Sequence, residues 1–285
     1  MKKFLALLSV PFLAFSLAAC SQPKEDQKQE ETQPKQESKA DEISGNISTN
    51  GSTSMESVIG ILSEKFMADH PDVKITYDAT GSGTGIESVN TNSCDIGLAS
   101  RNLKDEEVDK GLVSTTVALD GIAVIVNENS PIDNLSLEDV AAVFTGEKTE
   151  IGDFKDISAI GREAGSGTRD GFESITETKD KCKLAQELTS TGAVIEAVKN
   201  NPNAIGYASF SSVEGKNGVK MLKVDDVDCT FDNIANGSYK IQRPFNLVTK
   251  KDTALNAQSQ AFFDFMTSAD AGEFIKQAGA VPNAK

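Results

Sequence analysis

The stretch TYDATGSGTGIESV, Thr76 to Val89, passes from an alternating apolar run into a glycine-rich turn and then into a helical pattern. Val73, Ile75, Tyr77 and Ala79 alternate with polar residues, the period of a half-buried strand. Gly81-Ser82-Gly83-Thr84 then opens the next segment. Turns of this kind leave backbone N–H groups at the helix start with no acceptor inside the helix. GSGT recurs at Gly165 to Thr168 within SAIGREAGSGTRDGFESI, with Arg162 before the turn and Arg169 just inside the predicted helix. A related arrangement in STNGSTSMESV sets Gly51 to Ser54 between a strand predicted near Ile43 to Ile47 and a helix starting near Met55. Strand, turn and helix in that order, three times over, predict an α/β chain. The two GSGT copies are expected to form two walls of one anion site.

Outward from these turns the same alternation continues. Met55, Val58, Ile59, Leu62 and Phe66 share one face of a helix predicted over Met55 to Asp69. Ile122 to Val126 is continuously apolar, as in a strand covered on both faces. Further helices are predicted at Leu135 to Phe144, Thr168 to Ile175, Val194 to Asn200 and Gln258 to Ala278. No tandem repeat at a fixed period is present. DIGLASRNL places Ser100 and Arg101 at the end of another predicted strand, on the edge where open α/β sheets put ligands. Arg101 reads equally well as a solvated surface residue.

The amino terminus has a different character. Lys2 and Lys3, the apolar run Phe4 to Ala19 and Leu17-Ala18-Ala19-Cys20 predict an export signal over residues 1–19 that ends in a lipobox-like cysteine, with Cys20 as the lipidation site. Ser21 to Glu42 contains no Val, Ile, Leu, Met or aromatic residue, so residues 20–42 are expected to form a disordered tether. About 240 residues remain from Ile43 onward, enough for one large or two moderate domains.

A formal net charge of −15 argues against a nucleic-acid partner. It does not oppose anion binding, which short-range donors decide. Cys94, Cys182 and Cys229 show no C-x-x-C spacing, leaving a Cys182–Cys229 disulfide or three thiols as the alternatives. Metal and cofactor are not expected, and neither is catalysis: His70 is the only histidine and lies far in sequence from every motif. Neither G-x-S-x-G nor G-x-x-x-x-G-K-[ST] occurs. Each Ser/Thr turn taken alone is a good helix cap. Three of them, one flanked by an arginine, favour a site built for a tetrahedral oxyanion.

Through GSTSM, TGSGTGI, DIGLASR, GREAGSGTRDGF, NAIGYASF and AFFDFM the chain resembles the phosphate-binding proteins of bacterial high-affinity phosphate importers, over essentially all of Ile43 to Lys285. The resemblance implies a two-lobed periplasmic-binding-protein fold of type II, with lobe 1 at 43–125 and 244–285 and lobe 2 at 126–243. It implies a monomer that takes inorganic phosphate to a membrane permease; the lipobox-like Cys20 puts it on a lipid anchor at the outer face of the cytoplasmic membrane, which suits a Gram-positive cell lacking an outer membrane. Phosphate contacts carry over to Thr53, Ser54, Ser82, Arg162, Ser166, Gly167 and Thr168, with Ser100 and Arg101 at the end of the DIG strand. Many relatives carry there an aspartate that accepts the phosphate proton; this chain has Ser100. Another tetrahedral oxyanion, sulfate or molybdate, is the alternative ligand.

Overall fold

The structure, a computed structural model, describes residues 43–283. The expected signal, Cys20 and tether lie outside the described residues. The chain begins with β1 (Gly45–Gly51), a 3₁₀ turn (Thr53–Met55), α1 (Glu56–Asp69), β2 (Val73–Ala79), α2 (Ser82–Asn90), β3 (Ile96–Ala99), α3 (Asp105–Asp109) and β4 (Leu112–Asn127). It continues through β5 (Asn134–Leu135), α4 (Leu137–Phe144), β6 (Ser158–Arg162), α5 (Gly167–Ile175), β7 (Gln186–Leu188), α6 (Thr191–Lys199), β8 (Ala204–Ser209) and α7 (Phe210–Val213). The last part holds β9 (Val219–Met221), β10 (Lys223–Val224), α8 (Phe231–Ala235), β11 (Gln242–Lys250), α9 (Ala257–Thr267), α10 (Gly272–Gln277) and β12 (Val281–Pro282).

The main sheet runs in the order β2-β1-β3-β11-β4-β8-β6-β7. β1 is parallel to β2 and β3, and β6 is parallel to β7 and β8, while β11 runs antiparallel to both β3 and β4. β4 is the strand on which the two parallel sets meet. Leu112 to Gly121 pairs with β11, and Ile122 to Val126 pairs with β8.

Two large apolar cores accompany this division and make the molecule two-lobed, with a smaller cluster of Ile86, Val89, Ala99, Leu112 and Val248 under α2 and β3. One gathers Ile47, Val58, Leu62 and Phe66 of the β1–α1 region with Phe245, Phe262 and Met266 near the carboxyl end. The other gathers Ile122 to Val126 with Phe144, Phe172, Val194 and Tyr207. Within it Phe172 stacks on Tyr207 at 4.2 Å and meets Phe144 edge-on at 4.7 Å. Burying a side chain of this size contributes about 1.5–3 kcal/mol, so these clusters anchor the elements that carry the turns described below.

Several expectations are corrected. The strand expected at Ile122 to Val126 extends back to Leu112, because Ser114, Thr115 and Thr116 are only partly covered and their polarity hides the strand period. The helix expected over Gln258 to Ala278 breaks into α9 and α10 at Ser268, whose backbone is extended and whose hydroxyl donates to the Phe265 carbonyl at 2.7 Å. The helix expected from Val194 starts at Thr191, capped by the Ser190 hydroxyl. Cys182 and Cys229 are not bonded to each other; Cys94, Cys182 and Cys229 are all free thiols.

Candidate functional site

Four strand ends deliver the predicted residues. The 3₁₀ turn after β1 presents Thr53 and Ser54, the first residue of α2 is Ser82, and Ser100 follows β3 directly. From the other lobe Arg162 ends β6, Ser166 caps α5 by accepting from the Arg169 N–H, and Gly167 and Thr168 form its first turn. All of these side chains are buried. The two GSGT copies meet: the Gly83 N–H donates to the Gly165 carbonyl at 2.9 Å. A methyl group placed on Gly167 would come within 2.4 Å of Ser82 Oγ and 2.7 Å of Ser100 Oγ. Only glycine lets the two walls approach this closely.

Hydroxyls dominate between the walls. Ser54 Oγ lies 2.7 Å from Thr168 Oγ1 and 3.0 Å from Thr191 Oγ1, and Thr53 Oγ1 lies 3.0 Å from Thr191 Oγ1. Ser82 Oγ lies 3.2 Å from Ser100 Oγ. Several of these oxygens also receive an N–H. Thr53 Oγ1 accepts from Arg162 Nη1 at 3.0 Å and from the Thr191 N–H at 3.2 Å; Ser82 Oγ accepts from the Ser100 N–H at 3.0 Å. A hydroxyl that already accepts an N–H directs its own proton elsewhere. Thr53 and Ser82 are therefore set as donors, with Thr191 Oγ1 and Ser100 Oγ as their nearest acceptors, an arrangement that suits a ligand rich in acceptor oxygens. Ser100 Oγ receives no N–H, so it remains able to accept a proton from a ligand hydroxyl.

The four arginines divide sharply. Arg101 is bound bidentately by Glu107 at 2.7 and 2.8 Å and lies 2.9 Å from Asp170 across the lobes. Burial works against its charge, yet these carboxylates hold its pKa above the ordinary value. Its guanidinium is taken, and the structure does not bring it into the hydroxyl ring. Arg169 is held by Glu173 at 2.7 Å and Glu187 at 3.2 Å, and Arg243 by Asp120 at 2.6 Å.

Arg162 differs: among the described residues no carboxylate lies within ion-pair distance of it. It donates through Nε to the Leu188 carbonyl and through Nη2 to the Thr189 carbonyl, while Nη1 turns to Thr53 and Thr191. Burial lowers its pKa. A buried cation without a counter-ion is costly, and hydroxyls and carbonyls are the groups that surround this one.

Sequence reasoning did not single out Thr191, Ser209, Asp120 or Arg243. Thr191 joins the ring because α6 starts three residues earlier than its apolar spacing predicts. Asp120 and Arg243 face each other across β4 and β11, and Arg243 Nη2 donates to Thr168 Oγ1 at 3.2 Å. A charged residue inside the apolar run of β4 was the one local sign of Asp120. His70 ends α1, at the opposite end of that helix from Thr53 and Ser54, and packs 4.5 Å from the Phe66 ring.

The PBP superfamily domain matches residues 31–270. Phosphate-binding protein PstS of Bacillus subtilis is 30% identical over 290 residues, covering 99% of this chain and 94% of the relative. The Staphylococcus aureus (strain USA300) protein of the same name is 30% identical over 260 residues, covering 84% of this chain and 79% of its own. Among solved structures, a phosphate-bound substrate-binding protein of a phosphate ABC transporter from Clostridium perfringens is 34% identical with a TM-score of 0.79, over 84% of this chain and 100% of that one. An ABC-type phosphate transport receptor from Vibrio cholerae is 32% identical with a TM-score of 0.68, over 82% of this chain and 99% of that one.

Proposed function

We infer what this protein does from what it is: the chain belongs to the PstS family of phosphate-binding proteins, within the PBP superfamily. It captures inorganic phosphate outside the cytoplasm and hands it to the membrane permease of an ABC importer, as a binding protein and not as an enzyme. The observation that carries this reading is Arg162, buried with no carboxylate within ion-pair distance and donating to the hydroxyls of Thr53 and Thr191, one from each lobe. Thr53, Ser54, Ser82, Ser100, Ser166, Gly167 and Thr168 are the ligand-facing residues of this proposal. Arg101 enters it at one remove, as the ion pair with Asp170 that ties the lobes together.

A phosphate between the walls would exchange hydroxyl–hydroxyl bonds for hydroxyl–oxyanion bonds. Each charge-assisted bond contributes about 1.5–3 kcal/mol net, against the cost of stripping water from the dianion. The balance favours tight but reversible capture, which delivery to a permease requires. The lobe limits of 43–125 with 244–285 and 126–243 are part of the same proposal; the second core, which runs from Ile122 to Ile241, lies within four residues of them at each end.

Titration of the purified protein with phosphate, sulfate and molybdate, followed by calorimetry, tests the reading. Phosphate is expected to bind most tightly; preference for either other anion would move the assignment to a different oxyanion. With Ser100 in place of a carboxylate, sulfate is expected to bind measurably, because a serine hydroxyl both accepts and donates and does not repel a fully ionised anion.

The lipid anchor is proposed from Leu17-Ala18-Ala19-Cys20 alone. Cys20→Ser is expected to abolish lipid labelling and to release the protein from the membrane or trap its precursor. Undiminished labelling in that variant removes the anchor from the proposal.

A further inference from the structure

We propose that the buried pair Asp120–Arg243 is a positioning element of the anion site, which holds the Thr168 hydroxyl as a donor toward the ligand and ties that hydroxyl to the strands joining the lobes. The proposal rests on the phosphate-binding reading above.

Asp120 and Arg243 are directly opposed in the β4–β11 ladder, and Asp120 Oδ2 lies 2.6 Å from Arg243 Nη1. The next two residues of β4 pass from one set of strands to the other: Gly121 still pairs with Gln242, while Ile122 pairs with Ser209 of β8. The pair therefore sits where the two lobes join. Asp120 reaches into the second lobe as well. Its Oδ2 accepts from Ser209 Oγ at 2.7 Å and its Oδ1 from the Ser211 N–H at 3.0 Å. With both oxygens occupied, the carboxylate cannot turn toward a ligand; its effect passes through Arg243.

Arg243 is fixed on several sides. Its guanidinium lies over the Phe245 ring at 4.7 Å, and its stem passes beneath Gly171 of α5, where an added methyl would stand 3.6 Å from Cβ and Cδ of the arginine. Nη1 is held by Asp120, which leaves Nη2 to donate to Thr168 Oγ1 at 3.2 Å. Thr168 Oγ1 then has one proton to give, on the side where Ser54 Oγ lies at 2.7 Å. An arginine cannot accept a hydrogen bond, so this polarity does not reverse. Thr53 is oriented in the same sense by Arg162. One hydroxyl from each lobe is thus set as a donor by its own guanidinium.

A double-mutant cycle on phosphate affinity tests this. Arg243→Gln is expected to weaken phosphate binding by about tenfold, the loss of one well-oriented donor, and Thr168→Val by a similar factor. In the Thr168→Val background Arg243→Gln is expected to cost less than about threefold, because the hydroxyl it orients is gone. The paired variant Asp120→Asn/Arg243→Gln carries neither charge and avoids an uncompensated buried carboxylate; it should fold and bind as weakly as Arg243→Gln.

Equal losses in both backgrounds, wild-type affinity in Arg243→Gln, or a paired variant that does not fold would each overturn the proposal while leaving phosphate binding by the wild type intact. A wild type that binds none of phosphate, sulfate and molybdate overturns the functional reading, and the positioning role with it.

Discussion

Gly167→Ala is expected to weaken phosphate binding by about 10- to 100-fold or more, and to prevent the compaction expected if phosphate draws the two lobes together. The added methyl would stand 2.4 Å from Ser82 Oγ, 2.7 Å from Ser100 Oγ and 3.0 Å from the Ser100 carbonyl carbon. The two hydroxyls could rotate away, but the carbonyl carbon belongs to the backbone following β3 and cannot. Gly167 is in one lobe and both serines are in the other, so the cheapest relief is to part the lobes. Overpacking of this kind costs about 1–3 kcal/mol or more, and about 1.4 kcal/mol is a factor of ten in affinity.

The substitution should leave folding intact. No positive φ is required at Gly167, and alanine favours the helix that starts there. Thermal unfolding without phosphate should therefore match the wild type, whereas the stabilisation by phosphate, which follows RT ln(1 + [L]/Kd), should shrink. Gly192→Ala is the control, since a methyl at Gly192 meets nothing within 4 Å although the residue adjoins Thr191. Small-angle scattering showing full phosphate-induced compaction in Gly167→Ala would mean that the closed arrangement is not the one that holds the ligand.

What could be read from the sequence was local. A strand end, a glycine turn and a helix start lie within about ten residues of each other, so Thr53, Ser54, Ser82, Ser166, Gly167 and Thr168 announced themselves through capping chemistry. Arg162 did so through its place beside a turn. The contacts that orient these groups are not local. Arg243 meets Asp120 across 123 positions and Thr168 across 75, through a β11 register that no short window encodes. Thr191 was hidden for another reason. The apolar face of α6 begins at Val194, so periodicity places the helix start too late and leaves the capping residues in a loop. Arg101 shows the opposite limit: its position at a strand end made it a ligand candidate, while Glu107 and Asp170 had already claimed its charge.

An acidic chain that binds an anion must keep its cation from being neutralised internally. The surplus of 43 acidic over 28 basic residues makes that the harder task. Three of the four arginines are neutralised by carboxylates, and the fourth is surrounded by carbonyls and hydroxyls. Carbonyls accept the Arg162 N–H groups without cancelling its charge. The Leu188 and Thr189 carbonyls occupy Nε and Nη2, so the fork is aimed with Nη1 toward Thr53 and Thr191.

Arg162→Ala should therefore separate binding from stability. It removes the one buried charge that, among the described residues, lacks a counter-ion, together with its bonds to Thr53 and Thr191, and phosphate affinity is expected to fall by about 100- to 1000-fold, or about 3–4 kcal/mol. Stability without phosphate should change far less. The Leu188 and Thr189 carbonyls lose donors, a cost of about 1–3 kcal/mol where they stay dry, while the desolvation that lowers the Arg162 pKa is relieved at the same time. Arg162→Lys keeps a charge but not a planar fork. An ammonium satisfying Leu188 and Thr189 cannot also reach Thr53 and Thr191 in the same geometry, so affinity should recover only in part. Isothermal calorimetry on the two variants, with melting curves recorded without phosphate, checks both halves of the argument. If Arg162→Ala loses stability and affinity together, Arg162 is a strut of the second lobe; if it loses neither, Arg243 is the principal cation and the ligand sits on the Thr168 side of the ring.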